Sequence, residues 1–402
     1  MTARSKSADL VIVGAGAVGG WASWFAAHDL GAERVVVLER GLAGQGASSR
    51  AAGMVRAQGG SPDTVRLGMW SIAFYGRQQR LLNTDSGFGE QGYLILARTA
   101  AAERTAHERV AMQRPLGLDV RWVSAEEARE LNPTLAGGFR GATYCPTDGW
   151  IDPPRNVRAY SLAMQRAGVD LRERTAFLGV RTSRGRVTGV ETSAGVIATE
   201  RVILTGGPTL REVGRLVGAR FLVGGARHQV VVTEPHPEFD VPGRPMAFDL
   251  ASGIYWRPED GGLMWGMSNP NEVPGPARDV DWDYIHLMEK QLHRVVPITK
   301  KLGIRKAWAA TIEYTPDHLP LLGQVILRDG SELEGATVAT ANGHGMMWGP
   351  AVARVAADLS LTGRTRVVKQ VDHFRMDRFD EHGNSPFTDP IALPFPIAVD
   401  DD

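Results

Sequence analysis

The chain opens with apolar runs cut by glycine. Asp9-Leu-Val-Ile-Val-Gly-Ala-Gly-Ala-Val-Gly19 reads as a strand, a glycine turn and the start of an Ala/Trp/Phe-rich helix. Arg34-Val-Val-Val-Leu-Glu39 reads as a second strand with an acid at its tip. Strand, glycine turn, helix, strand, acid is the order of a dinucleotide-binding unit. Gly14 permits the tight turn, Gly16 lets backbone approach a pyrophosphate, and Gly19 lets the helix pack close on the sheet, while the helix N-terminus offers N–H donors and positive potential. Glu39, twenty residues after Gly19, is placed to accept hydrogen bonds from a ribose diol. That acid argues against a 2′-phosphate and favours FAD or NAD over NADP.

Further along, Gly41 to Gly60 is rich in Gly, Ala and Ser, a loop whose backbone can approach a large planar ligand. Leu67, Trp70, Phe74 and Leu81 recur near helical spacing and predict a helix from about Pro62 to Leu82. Gly92 to Ala97 reads as a strand, Ala100 to Gln113 as a helix, and Ser124-Ala-Glu-Glu127 as a capping box opening another. Asp152-Pro153 is an N-cap followed by proline, so Asn156 to Ala167 is helical and the Asp-Gly-Trp-Ile-Asp-Pro run from Asp148 has a structural explanation first. Val187 to Glu191, Gly195 to Ala198 and Arg201 to Gly207 predict a hairpin returning to a strand of the nucleotide-binding sheet. From Arg227 to Gly266, β-type runs between Pro/Gly turns predict an antiparallel second layer, the substrate domain. Asp283 to Val295 reads as a helix, Lys306 to Ile312 and Thr337 to Asn342 as strands, and Pro350 to Leu361 as a helix opened by proline.

The fold class this predicts is α/β: a Rossmann-like domain with a second, mostly antiparallel β-sheet domain. The boundaries are residues 1–85, 146–225 and 306–365 for a discontinuous nucleotide-binding domain, 86–145 and 226–305 for the substrate domain, and 366–402 for a C-terminal tail draped over the body.

Composition narrows the function. At 402 residues, with 43% hydrophobic and 22% charged residues, the chain can bury a core large enough for two domains. Lys plus Arg equals Asp plus Glu at 45 each, with no long basic run, so there is no electrostatic footprint for nucleic acid or an anionic membrane. The single cysteine, Cys145, excludes an internal disulfide and a thiolate metal cluster; no metal is expected, and the cytoplasm is the default location. Arg4 and Lys6 precede an apolar run, superficially like a signal peptide, but that run is strand and glycine turn. No segment approaches a transmembrane span.

A second glycine turn before a helix, Asn342-Gly-His-Gly345, offers another helix N-terminus for anionic charge; read alone it is only a tight turn. With it, the chain resembles the D-amino-acid-oxidase-like family of FAD-dependent amine oxidoreductases from Asp9 to about Gly363. The pieces are the N-terminal unit, Gly46-Ala-Ser-Ser-Arg-Ala-Ala-Gly53, Arg227-His-Gln229, Gly253-Ile-Tyr-Trp-Arg-Pro258, Thr315-Pro-Asp-His-Leu-Pro-Leu-Leu-Gly323 and Gly343-His-Gly345. The similarity is greatest to the branch of sarcosine oxidases, their β-subunits and dimethylglycine dehydrogenase.

The resemblance implies FAD and oxidation of a secondary or tertiary amine, an N-alkyl amino acid by expectation, with hydride passing to flavin N5 and an imine as product. The alternative is a flavin-binding subunit of a hetero-oligomeric amine dehydrogenase that passes electrons to a protein or quinone. The implied cofactor-binding residues are Gly14, Gly16, Ala17, Val18, Gly19, Glu39, Arg40, Ser48, Ser49, Arg50, Gly53, Met54, Gly206, Gly343, His344, Gly345 and Met346. Arg56, Met264, His344 and Met347 are the implied reaction-centre residues. Arg56 matches the arginine that holds a substrate carboxylate in monomeric sarcosine oxidase, whereas Met347 stands where that enzyme has the companion lysine. Met264 replaces a lysine that promotes reaction with oxygen, so another electron acceptor is favoured. Arg50 and Ala310 stand where relatives carry a flavin-linking His and Cys, so FAD is expected to be noncovalent. Tyr255, Trp256, Trp265, Met267 and Trp348 lie in pocket-like stretches, though Met and aromatic residues also serve as plain core. His344 reads either as a flavin or substrate contact or as a turn residue, Arg227 and His228 as a bridge between domains, and Glu313 as a solvated acid or an amine contact.

Overall fold

The computed structural model describes residues 6–389 and 391. Arg4 and the end of the 366–402 tail lie outside them. The first of two large sheets has nine strands. Leu10–Val13 lies at its centre, parallel to Val35–Leu38 on one side and to Val202–Leu204 on the other, with Glu332–Thr340 parallel beyond that. These strands are continuously apolar because both faces are covered. Leu10 and Ile12 pack with Trp21, Tyr160 and Val352 of three helices, whereas Val11 and Val13 pack with Leu210, Val213 and Phe221. The predicted hairpin is present as Arg186–Thr192 with Gly195–Ala198, and the chain then enters the sheet at Val202.

The second sheet runs in the order 304–314, 224–233, 262–267, 254–259, 246–249, 93–97, 141–145, 121–124. All its pairings are antiparallel except that of Met246–Asp249 with Tyr93–Ala97. Alternation sorts its side chains: Trp256 and Trp265 turn to the Trp282–Val295 helix, packing with Ile285, Met288 and Leu292. Tyr255, one residue away, turns to the opposite face. The Ile304–Tyr314 strand, expected in the nucleotide-binding unit, hydrogen-bonds along its length to Gly224–Thr233 of this second sheet.

Local departures have simple causes. The predicted helix over Pro62 to Leu82 is two helices, Pro62–Tyr75 and Gln78–Leu82, because Gly76 interrupts it. Ser124 caps its helix by accepting from the Glu127 N–H at 3.1 Å, but the Glu127 carboxylate turns to Arg121, so only half of the expected box forms. Asp152 accepts from the Arg155 N–H at 2.9 Å and caps the next helix, which starts at Pro153, as the Asp-Pro pair predicts. Strands Asp170–Arg172, Phe177–Ser183 and Leu321–Ile326 stand outside the predicted elements; the first is short, the second is half-exposed and bulged at Gly179, and the third is six residues long and mostly buried.

The described residues after 366 lie on the body, and a buried pair is among the contacts that hold them. Arg378 donates to Asp317 through Nε at 2.6 Å and Nη2 at 2.9 Å, with both side chains under 5% exposed. Arg378→Met leaves that carboxylate buried alone, and denaturant unfolding is expected to show a loss of about 3–5 kcal/mol. A loss below about 1 kcal/mol would mean that the pair is hydrated and incidental.

Candidate functional site

One continuous cavity of about 1130 Å³ runs between the two sheets, from the Gly14–Gly19 turn past residues 38–42, 44–48 and 50–54 and the 205–216 segment to Arg56, His228 and Tyr255. That is the upper end of small-molecule sites, enough for a dinucleotide and a substrate together. At its nucleotide end, backbone contacts leave no room for side chains. Gly14 is at φ +97°, and a Cβ on Gly19 would stand 1.9 Å from the Gly14 carbonyl oxygen. Gly16 gives the Ala17–Trp24 helix no side-chain cap, and Ser48 Oγ accepts from the Ala17 N–H at 3.0 Å. Glu39 accepts from the Ala15 N–H at 3.0 Å and the Gly41 N–H at 2.7 Å, tying the second strand's tip to the turn on the cavity wall.

The second glycine turn meets the first. Asn342 and Gly343 have φ of +51° and +69°, and a Cβ on Gly345 would reach ordinary contact with Ala17 Cβ. Asn342 is fully buried; its Oδ1 accepts from the Thr315 N–H at 2.7 Å, while its Nδ2 has no partner among the described residues. The His344 Nδ1–H donates to the Asn342 carbonyl at 2.7 Å, which leaves Nε2 as an acceptor. Burial, with the nearby Arg56 charge, pushes the His344 pKa down to about 3, so the ring is neutral at ordinary pH. Glu313 accepts from Thr340 Oγ1 at 2.9 Å and is held above the usual carboxylate range by burial, offset in part by the Gly343 N–H. It braces the turn.

At the far end, Tyr93, Phe248, Tyr255 and Ile391 make an aromatic and apolar wall. His228 Nε2 and Tyr255 Oη share a 2.6 Å hydrogen bond, and burial lowers the His228 pKa to about 4. His228 thus lines the cavity, while Arg227 beside it pairs with Glu272 at 3.0 Å and pins the neighbouring loop. Arg56 is 5% exposed, lines the cavity and donates to the Gln58 carbonyl; among the described residues no carboxylate lies within ion-pair distance of it.

The cavity brings together Gly14, Gly16, Ala17, Val18, Gly19, Glu39, Arg40, Ser48, Arg50, Gly53, Met54, Arg56, Gly206 and the whole run from Gly343 to Met347. Arg40 sits at the rim, 3.7 Å from Glu212. Ser49 and Met264 fall elsewhere: both line a second cavity behind the 50–51 loop, where Met264 packs with Ala52, Val230, Val232 and Trp308. Trp256, Trp265, Met267 and Trp348 are core. Cys145 is buried, and burial pushes its thiol up, away from nucleophilic use. Sequence reasoning missed Tyr93, Phe248 and the orphaned Asn342 amide. Only Asn342 carried a signal, as the last residue before the glycine turn.

The residues fit FAD: a glycine turn against a helix N-terminus, an acid at the second strand's tip, a cavity of dinucleotide size and a buried unpartnered amide donor in its wall. Fold and site define a dinucleotide-binding α/β oxidoreductase. The family described as FAD dependent oxidoreductase matches residues 9–359, and the chain belongs to it. Among curated relatives, 4-methylaminobutanoate oxidase (formaldehyde-forming) of Paenarthrobacter nicotinovorans is 27% identical over 88% of this chain and 43% of its own. The chain thus spans under half the length of that relative. Glycine oxidase of Geobacillus kaustophilus is 29% identical over 87% of this chain and 92% of its own. Its crystal structure superposes with a TM-score of 0.80 over 94% of this chain and 100% of that chain, at 26% identity. Sarcosine oxidase subunit beta of Rhodobacter capsulatus is 24% identical over 79% of this chain and 78% of its own. Among the described residues no helix is long and apolar enough to cross a membrane.

Glu39→Gln keeps one acceptor and removes the charge. FAD affinity is expected to fall by about 1.5–3 kcal/mol, roughly 10- to 100-fold, with the fold intact. Titration of the apoprotein with FAD measures it, and an unchanged dissociation constant would place Glu39 away from the cofactor.

Proposed function

We propose that the chain oxidises a secondary or tertiary amine that carries a carboxylate, an N-alkyl amino acid, with noncovalent FAD as the oxidant. The observation that carries this is Arg56: a buried guanidinium facing the cavity, with no carboxylate within ion-pair distance among the described residues. A charge so placed asks for an anion from the ligand. When bound, FAD supplies the acceptor for the hydride equivalent lost from the C–H bond next to nitrogen.

The protein's part is to bind, orient and keep dry. Arg56 takes the carboxylate. His344, neutral and with its Nδ1–H committed to Asn342, offers the Nε2 lone pair as an acceptor for the N–H of a secondary amine, whose reactive form is unprotonated. Tyr93, Phe248 and Tyr255 exclude water, and Asn342 Nδ2 with the two helix N-termini offers hydrogen bonds to the cofactor. Two relatives support the substrate class by their names, which join a methylamine to a carboxylate or specify sarcosine.

The second reading, a subunit of a hetero-oligomeric dehydrogenase, is favoured by the similarity to a sarcosine oxidase β-subunit. An acceptor other than oxygen is favoured by the resemblance alone, which sets Met264 where a relative has a lysine; the side chain itself is uncharged and packs with Ala52, Val230, Val232 and Trp308. Size exclusion of the purified chain, together with anaerobic bleaching of its flavin band by amines, separates the two readings.

Arg56→Met is expected to raise KM for 4-methylaminobutanoate or sarcosine roughly 10- to 100-fold, and that for N-methylpropylamine less than about twofold, as loss of a charge-assisted pair dictates. Equal effects on both classes would give Arg56 a structural role. The substrate-reduced protein should pass electrons to a quinone analogue faster than to air, and Met264→Lys should speed the air reaction without speeding anaerobic flavin reduction. Stopped-flow reoxidation reads this directly, and a fast air reaction in the unaltered protein would make oxygen the acceptor.

A further inference from the structure

The carboxylate of Asp148, in the Asp-Gly-Trp run between the two domains, is assigned no part in the chemistry above. It is fully buried. Asp148 Oδ1 accepts from the Ala57 N–H at 2.7 Å, and Oδ2 accepts from Gln58 Nε2 at 3.1 Å. Gln58, equally buried, donates also to the Tyr93 carbonyl at 3.1 Å and accepts from Thr143 Oγ1 at 2.6 Å, so it is locked onto the second sheet. Its own carbonyl accepts from Arg56 Nη1. The Asp148 carbonyl meanwhile accepts from the N–H groups of Gln91 at 3.1 Å and Gly92 at 2.8 Å, fixing Asp148 to the start of the strand that carries Tyr93. Arg56 therefore reaches the cavity from a three-residue segment whose next two members are both clamped by one carboxylate.

We propose that Asp148 is a positioning residue for substrate binding: through Ala57 and Gln58 it sets the direction of the Arg56 guanidinium, and so the affinity for the substrate carboxylate. This rests on the reading of Arg56 given above. The requirement is for a double acceptor. An ionised carboxylate satisfies the Ala57 N–H and the Gln58 amide together, whereas an acid or an amide has a donor on one oxygen's place and must break or reverse one bond. Reversing the Gln58 amide would set its oxygen against the Tyr93 carbonyl.

The clamp is also sensitive to protons. Burial pushes the Asp148 pKa up to about 6, against the pull of the Ala57 and Gln58 hydrogen bonds and the Arg56 charge. The titratable groups that face it are Arg56, Tyr93 and Cys145; burial holds the phenol and the thiol above their usual ranges, so neither changes charge between pH 5 and 8. Above the Asp148 pKa the clamp is complete. Below it one acceptor becomes a donor, and Arg56 loses its bearing.

The test is the ratio of KM for 4-methylaminobutanoate to KM for N-methylpropylamine, measured on the FAD-loaded protein between pH 5 and 8. Both amines stay protonated over that range, so the ratio isolates carboxylate recognition. In the unaltered protein the ratio is expected to rise roughly fivefold or more as pH falls through 6, while the ratio of the two amines' kcat values, from which their shared loss of the amine proton cancels, changes less than about twofold, since only ground-state binding is lost. Asp148→Asn should show the raised ratio at every pH. A ratio that stays flat in the unaltered protein overturns the proposal without any substitution, as does an Asp148→Asn protein with a normal ratio. Arg56→Met separates the two layers: if it leaves the ratio unmoved, the Arg56 reading itself has failed, whereas a ratio raised by Arg56→Met but indifferent to pH and to Asp148→Asn removes only the clamp.

Discussion

No side chain fits between the first turn of the Ala17–Trp24 helix and the strand end that feeds it, and the architecture depends on that contact. A Cβ on Gly19 would stand 1.9 Å from the Gly14 carbonyl oxygen, and one on Gly14 would touch Thr205. Because both are glycine, the helix settles onto the sheet and Thr205 Oγ1 can donate to the Val13 carbonyl at 2.6 Å, joining Leu10–Val13 to the end of Val202–Leu204. Glu39 completes the knot from the other side by accepting from Ala15. Three parallel strands thus end at one point, and the helix N-terminus faces into the space beyond them.

Around that point the second sheet supplies the opposite wall. Its alternation sends Trp256 and Trp265 to its own helix and leaves Tyr255 for the cavity. The Ile304–Tyr314 strand is the hinge of this arrangement: it pairs within the second sheet, yet Glu313 at its end braces the Gly343 turn of the first. The two ends of the cavity are therefore connected through one strand and the side-chain hydrogen bond at its end, which helps a site built from loops stay rigid.

Polar groups in the cavity divide by whether the protein satisfies them. Glu313 in the wall is held by Thr340 and the Gly343 turn, and behind the wall Asp148 and Gln58 are hydrogen-bonded to their neighbours; all three act as struts. Among the described residues Asn342 Nδ2 has no partner, and Arg56 has the Gln58 carbonyl but no carboxylate within ion-pair distance; such groups in a buried wall are what a ligand completes. His344 stands between: one nitrogen is committed to Asn342, and the other is left as an acceptor.

The sequence alone determined the nucleotide-binding unit, its acid, the major helices with their caps and the second glycine turn. Each rests on contacts within a few residues or on an apolar period, which the linear order of residues expresses directly. Family resemblance extended this to Arg56 and His344. Tertiary structure decided the rest. It put Met264 behind the 50–51 loop and not in the main cavity, moved the Ile304–Tyr314 strand into the second sheet, and turned Trp256, Trp265 and Trp348 into core. It brought Asp148 to Gln58 across 90 positions of chain. A strand's partner, and the face on which a residue lies, depend on which distant surface covers it, and no local pattern carries that information.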